Sequence, residues 1–117
     1  MIDPIMTKIS QVVQEELQRA RVDHGETYAS MHEAYGVLCE ELHEAGIEYR
    51  EIQAYEGMLI GAIHKGNEKL LRSELDVICS RAIRAACELV QVAAVCRKAM
   101  QGLEGAADGQ AERRPLG

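Results

Sequence analysis

Apolar positions early in the chain recur at helical spacing, Ile5, Ile9, Val12, Val13 and Leu17 among them, so a first helix is predicted there. Asp3 is suited to the N-cap, and Pro4 to the first helical position, where its missing N–H leaves no bond unmade. Gly25, after "RARVDH", is a stop signal, and the polar loop "GETYA" follows it. A second helix opens at "SMHE", where Ser30 and Glu33 have capping-box spacing, and continues through Ala34, Val37, Leu38, Ala45 and Ile52. Gly57 is expected to end or bend it, leaving "MLIGAIH" (58–64) as a further turn or two. "KGN" reads as a turn, with Asn67 placed to cap the next helix.

From Glu68 to about Met100 the pattern is apolar over most of a helical circumference: Leu70, Leu71, Leu75, Ile78, Ala82, Ala85, Ala86, Leu89, Val92, Ala93 and Cys96. Such a segment, as one helix or two, belongs at the centre of a bundle or in a subunit interface. The remaining stretch, "GLEGAADGQAERRPLG", has four glycines and no periodicity, so 102–117 is expected to be a flexible tail.

Composition agrees with this outline. Hydrophobic residues make up 47% of the 117, enough for one core, with four Tyr and neither Trp nor Phe. That palette suits helix-on-helix packing. The expected fold is a single all-α domain over 1–101, a bundle of about four helices. A net charge of −6 argues against binding a nucleic-acid backbone, which needs a basic face. Cys39, Cys79, Cys87 and Cys96 lack metal spacing and are expected to be small core residues of a reduced protein. With no signal peptide evident and no apolar run of membrane-spanning length, a cytoplasmic protein is expected, with no membrane partner.

The chemistry concentrates in "YGVLCEELHEAGIEY" (35–49). At about 100° per residue from Ala34, Glu41 falls near −20° and Glu48 near −40°, inside the apolar stripe, with Glu44 on its shoulder near −80°. Glu40 and His43 point further out. Carboxyl groups aimed at packed surface need water, a cationic partner or a metal. Arg81 and Arg84 are available for ion pairing, while carboxylates at i and i+3 can share a hard cation. A second cluster lies in "ACELVQVAA" (86–94), where Glu88 and Gln91 are three apart. Glu88 also has a plain salt-bridge reading with Arg84. Glu74 and Asp76, two apart, point to different sides of a helix and make a poorer pair.

"HEAYGVLCEELHEA" with "ELVQVAAVCRKAM" resembles the MazG-like all-α nucleoside triphosphate pyrophosphohydrolases, above all their short phage and prophage members. The family hallmark is EExxE on one helix and ExxD on the next, which together hold Mg²⁺. Glu40, Glu41 and Glu44 match the first motif, and Glu88 matches the second with Gln91 at the Asp position. The resemblance, over residues 24–100, implies Mg²⁺ or Mn²⁺ on Glu41, Glu44, Glu88 and Gln91, with Glu40 or Glu48 orienting the attacking water. It further implies Lys98 or Arg81 on substrate phosphate and a homodimer or homotetramer that hydrolyses a nucleoside triphosphate to monophosphate and pyrophosphate. Gln91 replaces a carboxylate by a neutral amide, which weakens Mg²⁺ binding. The alternative it raises is a catalytically silent helical regulatory or interaction protein. His24 and His32 flank a loop and read as cap or surface groups, His43 and His64 lack partners at zinc spacing, and the tyrosines read as packing groups.

Overall fold

The computed structural model describes the backbone of residues 2–113 and the side chains of residues 3–105. It is all-helical, with three helices and no strand among the described residues: α1 (Ile2–His24), α2 (Met31–Lys65) and α3 (Glu68–Arg113). About four were expected. The difference lies at Gly57, where α2 neither ends nor bends into a new element but carries "MLIGAIH" to Lys65. A glycine inside a helix costs about 1 kcal/mol, and side chains beyond it that pack, such as the 2% exposed Ala62, offset that cost. Residues 68–113 are likewise one helix.

The ends follow local rules, with one correction. Asp3 lies in the first turn of α1 rather than at its cap, and its carbonyl accepts the Thr7 hydroxyl at 2.9 Å. Gly25 closes α1 with φ 98°, and its N–H reaches the Arg21 carbonyl at 2.9 Å. That backbone region favours glycine because it has no Cβ. Ser30 Oγ accepts the Glu33 amide at 3.1 Å. Gly66 (φ 64°) ends α2, and Asn67 Oδ1 accepts the Leu70 amide at 3.0 Å to start α3. The stretch expected to be a tail is helical from 102 to Arg113, and residues 114–117 fall outside the described residues.

Packing divides the chain into two compact units, Met1–Glu40 with Val90–Gly117, and Glu41–Leu89. In the first, Val13 and Leu17 of α1 pack with Ala94 of α3, flanked by Val90 and Ala93, and Leu17 is fully buried. Arg97 ties the same helices together, donating to Ser10 Oγ at 2.8 Å. In the second unit the buried apolar side chains are Ala45 and Ala62, while Leu75, Ile83 and Leu89 are more than half exposed. The cysteine expectation is corrected: Cys39, Cys79 and Cys87 are exposed, and Cys96 is half-buried. Helical rotation turns them off the packed stripe. Among the described residues, no helix is long and apolar enough to cross a membrane.

Candidate functional site

The site is built within the second unit from adjacent turns of α2 and one turn of α3. Glu41 and Glu44 stand at i and i+3, so their side chains rise on one side of α2. On α3, Glu74, Arg81 and Glu88 recur every seven residues and share a stripe, which the apolar i, i+3, i+4 neighbours turn toward α2. Oxygens of Glu41, Glu44 and Glu88 all lie within 4.8 Å of one another. Burial follows the helical phase: Glu41, Glu48 and Glu88 are half-buried, whereas Glu40, His43 and Glu44 are exposed.

Electrostatics separate the members of this group. Burial pushes the Glu88 carboxyl above its ordinary range, and its hydrogen bond and charge repulsion with Glu44 push it further, with Glu48 adding to the repulsion. Protonated, Glu88 donates to Glu44. Among the described residues neither Glu44 nor Glu88 has a basic partner. Glu48 differs, since Arg81 Nη1 donates to its Oε2 at 3.3 Å, and the pair is mostly screened from water. The ion-pairing option is therefore taken by Glu48 with Arg81, and Arg84 is exposed. Three carboxyl groups converging in this way can hold a proton between two of them, as Glu88 and Glu44 do, or a hard divalent ion among all three.

The remaining sequence candidates lie in the first unit. The Gln91 amide nitrogen donates to Glu16 Oε1 at 2.6 Å, and Arg19 holds the same carboxylate from the next turn of α1 at 2.6 Å. These two hydrogen bonds, Arg19 first, hold Glu16 below its ordinary range against the opposing effect of burial. Lys98 is 4% exposed, with its ammonium 4.3 Å from the centre of the Tyr28 ring. Glu40, the other base candidate, is exposed on α2.

Two residues escaped the sequence reading. Glu16 was legible from its place between Val13, Leu17 and Ala20 on the apolar stripe of α1. Glu74 was set aside because its spacing to Asp76 is wrong for a pair, yet it is 5% exposed and its Oε2 is buried without a hydrogen-bond partner. The signal for Glu74 was its seven-residue spacing to Arg81 and Glu88, which fixes its face on its own. Comparison with models of known protein families, with curated proteins and with solved structures found no match to this chain.

Proposed function

We propose that the chain is a MazG-like, Mg²⁺-dependent nucleotide pyrophosphohydrolase, in which Glu41, Glu44 and Glu88 hold the metal. The observation that carries this reading is the convergence of those three carboxyl groups within 4.8 Å in a setting that raises the proton affinity of Glu88. A divalent ion relieves the same repulsion that the shared proton relieves, so metal and proton compete for the site. When bound, it supplies charge neutralisation at phosphate oxygens and an acidified water.

The chain's own groups do the rest. Glu40, exposed and one residue before the cluster, accepts a proton from the attacking water; Glu48 does so only after leaving Arg81. Once released, Arg81 is free to meet phosphate oxygens. Attack at the α-phosphorus forms the nucleoside monophosphate and breaks the bond to the departing pyrophosphate. Oligomerisation, as a homodimer or homotetramer, and a cytoplasmic location are part of this proposal. Support for the former is the exposure of Ile60, Ile63, Leu75 and Ile83 along the second unit, each above 50%.

A second reading is favoured by a specific observation: Gln91, at the family's carboxylate position, spends its amide on Glu16. On that reading the chain is a catalytically silent helical regulatory protein. Pyrophosphate release from a panel of canonical and modified nucleoside triphosphates, with Mg²⁺ or Mn²⁺, separates the two. Release by the wild type that falls at least 100-fold in Glu41→Gln supports the enzyme; no metal-dependent release over the whole panel overturns it.

A further inference from the structure

The α2-facing stripe of α3 carries charge in a fixed order, Glu74, Arg81 and Glu88, at seven-residue steps. Arg81 thus has an acidic group on either side along its own helix and meets a third, Glu48, across on α2. Among the described residues one of its five N–H groups is engaged, Nη1 on Glu48 Oε2 at 3.3 Å. Glu74 is 5% exposed, and its Oε2 is buried without a hydrogen-bond partner. A buried carboxyl oxygen in that state keeps its desolvation cost until a donor reaches it.

Arg81 is the donor placed to do so. Seven residues span about 10.5 Å of helix axis, a gap that an arginine and a glutamate close when extended toward each other. Side chains on a helix lean toward its N-terminus, so the natural lean of Arg81 is toward Glu74 and away from Glu88. A divalent ion on Glu41, Glu44 and Glu88 changes which partner the arginine prefers. Glu48 is near enough to that cluster to repel the charge of Glu88, so an ion there attracts Glu48 and repels the guanidinium bonded to it. Glu74 lies on the far side of Arg81, about 21 Å along the helix axis from Glu88.

We propose that Glu74 is a positioning residue for the metal centre: it receives Arg81 when a divalent ion loads the cluster, and the exchange releases Glu48 toward the ion. Without an ion, Arg81 stays on Glu48 and Glu74 stays buried and unanswered, as in this structure. The exchange precedes substrate, and an arriving phosphate then competes with Glu74 for the same guanidinium. The inference rests on the reading of Glu41, Glu44 and Glu88 as a metal site.

The test is a double-mutant cycle on Mn²⁺ affinity in the full-length protein, read by electron paramagnetic resonance, with Glu74→Met and Arg81→Met singly and together. Glu74→Met is expected to weaken Mn²⁺ at least threefold, because Arg81 then stays on Glu48 beside the ion. Arg81→Met is expected to tighten Mn²⁺ at least threefold, and adding Glu74→Met to it should change nothing further. A direct effect of the Glu74 charge on the ion would be the same with and without Arg81. The Arg81 side-chain nitrogen resonance gives a second readout: it should move when Mg²⁺ is added to the wild type and hold still in Glu74→Met. That comparison decides alone if Arg81→Met fails to fold, and Glu74→Gln serves if Glu74→Met does. Absence of a saturable Mn²⁺ site in the wild type removes the metal reading and this inference together. A wild-type site whose affinity is unchanged in Glu74→Met, a Glu74→Met effect that persists at full size without Arg81, or an Arg81 resonance that ignores Mg²⁺ overturns this inference and leaves the metal reading standing.

Discussion

Glu16 in the first unit and Glu88 in the second are both half-buried carboxyl groups projecting from the packed stripe of a helix. Glu16 meets Arg19 and the Gln91 amide, and its charged form is favoured; Glu88 meets Glu44 and Glu48, and its charged form is disfavoured. The apolar surroundings differ in the same sense. Leu17 anchors a core in the first unit, whereas the buried apolar side chains of the second are two alanines. One unit spends its polar groups on holding helices together. The other leaves Glu44 and Glu88 side by side with no basic partner among the described residues, at a cost in stability that is the usual mark of a site kept for something else.

That contrast can be broken by mutation. The largest expected effect is in the first unit: Leu17→Ala, at a fully buried position, should cost about 3 kcal/mol in chemical denaturation. Leu75→Ala, at a position 51% exposed, should cost under about 1 kcal/mol. Equal losses would mean that the second unit has a core in solution comparable to that of the first, as subunit association would give it.

Next in size is Glu74, whose buried Oε2 lacks a partner. Glu74→Met keeps the volume and removes the unpaired polar atom, so it should stabilise by about 1 kcal/mol. Thermal melting checks it, and a lowered melting temperature would show that Glu74 is held by an interaction worth more than its burial costs.

The smallest effect concerns pH. Because the folded-state pKa of Glu16 is lowered from the ordinary 4.5, its stabilising contribution is present above that value and is lost as pH falls through the folded-state pKa. Glu16→Gln should therefore reduce stability at neutral pH and flatten the acid limb below about pH 4.5, read as melting temperature against pH. A variant that retains the full acid limb would place the relevant titration elsewhere.

Much of the helical layout was legible because it rests on local chemistry. Gly25, the Ser30–Glu33 spacing and Asn67 each mark an end through bonds made within a few residues. The phase of Glu41, Glu44 and Glu48 was legible for the same reason, since rotation along one helix sets relative burial. What sequence alone leaves open are events decided by a partner helix. Gly57 continues a helix instead of ending it, Arg81 chooses Glu48, and Gln91 chooses Glu16. None of these choices follows from spacing within one segment. Glu74 was the opposite case: its face was fixed by spacing, and only the search for a paired carboxylate hid it.

The account's central claim is that Glu41, Glu44 and Glu88 converge to hold one divalent ion. Mn²⁺ titration followed by electron paramagnetic resonance, at neutral pH in the wild type and in Glu88→Gln, tests it most directly. One saturable site per chain, weakened at least tenfold in the variant and displaced by Mg²⁺, is the predicted result. Mn²⁺ signal that falls only in proportion to nonspecific surface binding, identical in the two proteins, would contradict it.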